Sequence, residues 1–250
     1  MKIIQSKLLK NYTNIIHGFT TKDSGKSVAP YSSLNLAFHV GDNTNAVHEN
    51  HILLAQELLY KKESLVHMKQ IHSNRVHIVT KEDDFSNPKE CDALITDMKN
   101  TPLMVMVADC SPILFFDSKK EIIGVAHAGR AGTFSNIIKN VTQKFIEDFN
   151  SNVRDIKVTI GASIGVCCYE VGEEIYKEAK ELNLLYAVEI REHSYYLNIR
   201  KILKEQLLSL GFKEQNIEIS KECSACLNKK YFSYRAEGVT GRFAGVISLR

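Results

Sequence analysis

One thiol and two imidazoles, each placed just past an apolar, strand-like run, are the groups of this 250-residue sequence best suited to chemistry. His72 ends Gln70-Ile71-His72 and follows Ser64-Leu65-Val66-His67-Met68. Cys110 ends Ala108-Asp109-Cys110 and follows Leu103-Met104-Val105-Met106-Val107. His127 lies in Gly124-Val125-Ala126-His127-Ala128-Gly129 after Glu121-Ile122-Ile123-Gly124-Val125. Groups at strand ends are held by a rigid scaffold yet face a loop-lined cleft. Zinc accepts Cys sulfur and His nitrogen in a tetrahedron. Structural sites use four protein ligands, whereas three leave a position open to water or substrate. His72, Cys110 and His127 therefore read as a catalytic metal site, for zinc or for copper, which favours the same donors. Binding needs Cys110 as thiolate and both imidazoles neutral. Gln70 and Asp109 adjoin two of the ligands and are placed to orient them.

The elements that must hold these groups are mostly strands. Candidates are 15–20, 65–69, 76–80, 103–108, 113–116, 122–126, 156–160, 217–219, 231–234 and 243–249, several of them apolar throughout, as in strands covered on both faces. Helical spacing appears over 45–60 with Thr44 as N-cap, over 133–149, over 172–185 opening on Glu173-Glu174, and over 197–210 ahead of Gly211. Strands grouped with interspersed helices indicate an α+β protein. With four prolines, no Pro/Gly/Ser-rich linker and no repeat, residues 1–250 read as one domain.

Composition narrows the classes. A net charge of +3 with scattered Lys and Arg gives no footprint for nucleic acid. No stretch approaches the ~18 apolar residues of a membrane span, and the N-terminus lacks the apolar core of a signal peptide, so a cytoplasmic location is expected. The six cysteines then read as free thiols and metal ligands rather than disulfides. Cys223-Ser224-Ala225-Cys226 is a lone CxxC with no second pair at zinc-finger spacing, and Cys167-Cys168 are vicinal; both pairs are taken as structural. Arg130, Arg200, Arg235 and Arg242 carry the planar fork that binds oxyanions. The turns Gly161–Gly165 and Gly238–Arg242 match no phosphate-loop or dinucleotide fingerprint.

A series of ordered blocks extends the pattern: Ser33-Leu34-Asn35-Leu36 with His39-Val40-Gly41-Asp42, Gln70-Ile71-His72, Cys91-Asp92-Ala93-Leu94-Ile95-Thr96, Ala108-Asp109-Cys110-Ser111-Pro112, His127-Ala128-Gly129, Cys167-Cys168-Tyr169-Glu170-Val171-Gly172, and Phe232-Ser233-Tyr234-Arg235 with Gly241-Arg242. Over nearly the whole chain, from His17 to Leu249, it resembles the family once named multicopper polyphenol oxidases, or laccase-domain proteins, whose members are also described as purine nucleoside phosphorylases and as a peptidoglycan editing factor. The resemblance implies a four-layer α-β-β-α sandwich of mixed sheets. It implies metal ligation by the same His72, Cys110 and His127, usually of Zn2+, with Cu2+ for laccase-type activity. It also implies phosphorolysis of adenosine, inosine and methylthioadenosine, with deamination of adenosine as a second reaction.

On that reading Cys110, His127 and Asp109 are the candidate catalytic residues, with Asp109 or His39 as proton carrier. Asn35, Arg130, Arg235 and Lys26 are candidates for substrate and phosphate contacts. The partners are purine nucleosides and phosphate, with neither nucleic acid nor membrane. Three positions depart from the family pattern. Arg130 follows Gly129 where a tryptophan is usual, Ala236 stands where a second arginine is common, and His51 replaces a common arginine; these changes bear on anion contacts more than on the metal. Two other classes remain: a copper-dependent polyphenol oxidase, against which nine scattered histidines without an HxH pair argue, and a cell-wall factor with a structural metal.

Overall fold

The computed structural model describes residues 1–250. Its two main sheets are built from the apolar runs of the sequence. A four-stranded antiparallel sheet has the order Ile3–Ile4, Ile15–Thr20, Phe243–Leu249, Leu103–Val107. A six-stranded mixed sheet has the order Ile217–Ile219, Ile156–Ile160, Ser111–Asp117, Ile122–Ala128, Ala93–Thr96, Val76–Ile78, parallel at its two ends and antiparallel between.

Strand alternation sorts the side chains into layers. Val105, Val107 and Ile247 of the first sheet meet Leu114, Phe116, Ile123 and Val125 of the second in one buried cluster. Behind the first sheet, Met104, Met106, Ala244 and Val246 pack on Leu54 and Leu58 of the helix Thr44–Leu58. Behind the second, Ile113, Phe115 and Ala126 pack on Ile137, Ile138, Val141 and Phe145 of Ile137–Phe149 and on Ile202 and Leu203 of Ile199–Ser209. Fully burying each of these large apolar side chains contributes about 1.5–3 kcal/mol. The result is the expected α-β-β-α sandwich, with one sheet antiparallel and the other mixed. No helix is long and apolar enough to cross a membrane.

Several boundaries differ from the sequence reading for local reasons. The helix expected over 133–149 is two helices, Arg130–Phe134 and Ile137–Phe149, because Asn136 takes a left-handed conformation (φ 58°) and its side chain caps Lys139 N–H. Asn43, not Thr44, is the N-cap of the first helix, accepting from Asn45 and Ala46 N–H. The run Tyr231–Tyr234 is not a strand: Ser233 caps the short helix Tyr234–Glu237 by accepting from Ala236 N–H. Two segments not read as strands, Val188–Arg191 and Ser194–Leu197, form a hairpin against Glu170–Val171. The two cysteine pairs, treated as separate, meet in space.

His51 is fully buried, stacks on Phe38 with ring centroids 5.4 Å apart, and its Nε2 lies 2.8 Å from Leu36 O, leaving Nδ1 without a partner. Burial, opposed only by the Leu36 contact, pushes its pKa down to about 3. Burial likewise depresses His17 and His67. The folded state thus refuses protons that the unfolded chain accepts near pH ~6.5. Stability is complete above that pH and is lost as pH falls toward about 3. Urea midpoints should therefore drop between pH 7 and 4.5, and less so in His51→Gln; a midpoint constant over that interval would refute the assignment of neutral buried histidines.

Candidate metal centre

The link Ala108-Asp109-Cys110 is where the chain leaves one sheet for the other, from Leu103–Val107 to Ser111–Asp117. So short a crossing demands an unusual backbone, and Asp109 has φ 85°. Cys110 sits at the crossing. His127 lies inside the adjacent strand Ile122–Ala128, opposite Pro112, rather than beyond the strand's end. His72 arrives from a bend after the two-residue strand Met68–Lys69, also left-handed at φ 58°. The donor atoms of the three side chains lie within 4.8 Å of one another. Gly129 makes room for them, since a Cβ there would stand 3.0 Å from Cys110 Sγ and 3.3 Å from His72 Cδ2.

Asp92 organises the cluster. It is fully buried at the start of the strand Ala93–Thr96. Its Oδ1 accepts from His72 N–H at 3.0 Å and lies 2.8 Å from His127 Nδ1. Its Oδ2 accepts from Ile71 N–H, Ser73 N–H and Ser73 Oγ–H at 3.3, 2.7 and 2.7 Å. Burial alone would raise this carboxyl; the His127 and Ser73 contacts outweigh it and hold it well below the usual carboxylate range. With Nδ1 committed to Asp92, His127 presents Nε2 to the cluster, the carboxylate–histidine arrangement that fixes a metal-binding imidazole.

Electrostatics favour the ligating form of the thiol. Burial pushes Cys110 up, but His127 and His72 outweigh it and hold it below the ordinary thiol value. Burial pushes His127 down, and Cys110 and Asp92 together raise it. A thiolate beside imidazoles is the form a metal requires; on binding, the proton leaves. One sulfur and two nitrogens, a carboxylate behind one ring and a glycine-lined recess fit a three-ligand zinc or copper site.

These donors open into a cavity of about 440 Å³, within the range of small-molecule sites. Met106, Val107, Ile164 and Ile199 give it apolar wall; Tyr169 and Tyr234 give aromatic faces; His39, Arg130, Arg235 and Arg242 give polar edges. Arg130 pairs with Glu178 at 2.5 Å. Arg235 Nη1 donates to Cys168 O and Glu170 O, and Arg242 Nη1 to Thr240 O and Gly241 O, which leaves further guanidinium N–H groups of each free.

Of the other residues picked from sequence, Asp109 and Gln70 line the cavity, whereas Asn35, Lys26 and His51 do not. The Asp109 carboxylate is engaged by Ser224 Oγ (2.6 Å), Ser233 Oγ (2.7 Å) and Arg235 N–H (2.7 Å), so it ties three segments together at the cavity wall. Asn35 is buried outside the cavity, where Oδ1 accepts from Ala37 and Arg242 N–H and Nδ2 donates to Ala37 O and Asp42. Lys26 is exposed and does not line the cavity. His51, far from supplying an anion contact, is part of the core. Gln70 bridges to Met106 through both its N–H and its C=O. Asp92 was not singled out among the candidates. Its signal is a charge directly before the largely apolar run Ala93-Leu94-Ile95, which must be paired if buried.

A family model described as multi-copper polyphenol oxidoreductase laccase matches residues 16–250. Among curated relatives, a protein named purine nucleoside phosphorylase YlmD from Bacillus subtilis is 32% identical, covering 96% of this chain and 91% of that one. A purine nucleoside phosphorylase of Corynebacterium glutamicum is 35% identical over 92% and 93%. The crystal structure of the hypothetical protein YfiH from Bacillus licheniformis superposes with a TM-score of 0.92 at 33% identity, covering 96% of this chain and 95% of that one. That of YlmD from Geobacillus stearothermophilus gives 0.90 at 30%, covering 96% and 93%. In sequence and in fold alike, the chain belongs to the multi-copper polyphenol oxidoreductase laccase family.

Proposed function

We propose that this chain is a zinc-dependent purine nucleoside phosphorylase acting on adenosine, inosine and methylthioadenosine, with deamination of adenosine as a second reaction. The observation that carries the reading is a three-donor set, His72, Cys110 and His127, at a cavity edged by Arg130, Arg235 and Arg242. Relatives at 32% and 35% identity bearing the name purine nucleoside phosphorylase support the reaction class. Six free cysteines suit a reducing cytoplasm.

In phosphorolysis a phosphate oxygen bonds to the anomeric carbon as the C–N bond breaks, and the base leaves with the bonding electrons. His72, Cys110 and His127 would hold the zinc ion, which when bound would supply Lewis acidity toward the substrate. The free guanidinium edges of Arg235 and Arg242 hold phosphate through charge-assisted hydrogen bonds, with Arg130 beside them. Tyr169 and Tyr234 offer faces for the purine, and the Met106–Val107 wall excludes water. Asp109, saturated by three donors, is a positioning residue. His39, kept neutral first by burial and then by Arg242 and His72, can accept the proton that dihydrogen phosphate gives up on attack and pass it to the departing base.

Cys110→Ala should lose the metal of this cavity and nucleoside turnover together; full turnover by a metal-free variant refutes the proposal. Asp92→Asn should weaken metal retention roughly 10–100-fold while the protein stays folded, read by competition with a chromophoric chelator, and unchanged retention would contradict the role given to Asp92. Arg242→Gln removes hydrogen bonds to a charged group, about 1.5–3 kcal/mol, and should raise the KM for phosphate by roughly tenfold or more with a smaller change in kcat. An unaltered KM would remove Arg242 from the phosphate site.

A further inference from the structure

A second set of metal donors lies outside the cavity. The Sγ atoms of Cys167, Cys168, Cys223 and Cys226 all fall within 4.8 Å of one another, and all four are free thiols. Cys226 Sγ is 3.5 Å from Cys167 Sγ and 3.3 Å from Cys168 Sγ. It is thus shared between two neighbours, as around a common ion, not committed to one as in a disulfide pair. Four sulfurs at 2.3 Å from a zinc ion in a tetrahedron are about 3.8 Å apart, close to the spacing observed. The CxxC and the vicinal pair, distant in sequence, complete each other because Ser163 pairs with Cys223 as an isolated bridge and Ser224 N–H donates to Ser163 O.

The backbone is arranged for sulfur ligands. Gly165 N–H donates to Cys223 Sγ at 3.1 Å. Gly165 must be glycine for close approach, since a Cβ there would stand 2.9 Å from Arg200 Nη2 and 3.0 Å from Cys167 Sγ. Arg200, fixed by donating to Ser220 O and Ser163 O, places a positive charge beside the sulfurs.

We propose that Cys167, Cys168, Cys223 and Cys226 form a structural tetrathiolate zinc site, separate from the cavity site. Four thiolates around Zn2+ carry a net charge of −2, partly offset by Arg200, and binding releases the thiol protons to solvent. Four protein ligands leave no open position, so the site is closed to substrate. Its task is positional. The segment it clamps carries Tyr169, and the Cys168 and Glu170 carbonyls hold the Arg235 guanidinium. Within the CxxC, Ser224 Oγ holds Asp109. The ion therefore pins one wall of the cavity from behind.

Elemental analysis of zinc-loaded whole protein tests this, with Cys226→Ser chosen because Cys226 is exposed and its loss leaves the core intact. Two zinc ions per chain are expected in the wild type, one in Cys226→Ser, one in Cys110→Ala and none in the double variant. Cobalt-loaded Cys110→Ala should show the strong visible bands of a tetrahedral thiolate site, the double variant should lose them, and Cys226→Ser alone should raise the KM for nucleoside. One ion per chain, lost only with Cys226, would uphold this site and defeat the cavity reading. Two ions retained by Cys226→Ser, or one ion lost only with Cys110, would overturn it. So would fewer than six titratable thiols in protein unfolded with chelator and without reductant, since that would show disulfides.

Discussion

A buried negative charge governs this architecture. Isolated in the interior, the Asp92 carboxylate would cost many kcal/mol. It persists because the bend Ile71-His72-Ser73 supplies three N–H groups and a hydroxyl, and His127 supplies a ring N–H. The same contacts that satisfy the charge place two of the three candidate metal donors. His72 is held through its own backbone, in a left-handed conformation that a non-glycine residue adopts only under constraint. His127 is held through Nδ1, which decides which nitrogen faces Cys110. A neutral amide at position 92 has the same shape but would turn N–H toward donors on one side, so geometry and charge fail together.

Asp109 is a second, smaller hub of the same kind. Its backbone makes the crossing between sheets, and its carboxylate gathers Ser224, Ser233 and Arg235. Cys110 is therefore fixed on one side by the sheet crossing and on the other by loops distant in sequence. The cavity inherits a rigid floor of ligands and a wall assembled from residues 164–170 and 224–242. The four-cysteine cluster binds those two wall segments to each other. Loops without extended pairing of their own need such a fastening if arginine edges are to stay aimed at one point.

The three-donor cluster was legible in the sequence because each member is a soft or borderline donor following an apolar run, a placement that survives even where boundaries shift. His127 moved from beyond a strand to within it without leaving the cluster. That strands such as Leu103–Val107 and Phe243–Leu249 are covered on both faces was legible because they are apolar almost throughout, whereas the four-layer order came from the family resemblance. Asp92 was not legible, since an acidic residue at a strand start is ordinary until its burial is known. The cysteine pairs were misread as separate because zinc-finger spacing presumes ligands from local loops, whereas here a bridge between Ser163 and Cys223 brings them together. Lys26, a candidate phosphate contact, lies outside the cavity, since a positive charge in the sequence says nothing of which way its loop faces. Tyr231–Tyr234 reads as a strand by aromatic content, but Ser233 finds a better use as a helix cap and a partner of Asp109.

The account stands on one joint requirement, that the cavity holds both a metal and phosphate while a nucleoside is cleaved. Chromatographic separation of the products formed from adenosine by metal-quantified protein, with and without phosphate, tests it most directly. Adenine released in proportion to phosphate, with a minor yield of inosine independent of it, is the predicted result. Adenine released equally without phosphate, or no product from protein carrying a full complement of zinc, would contradict it.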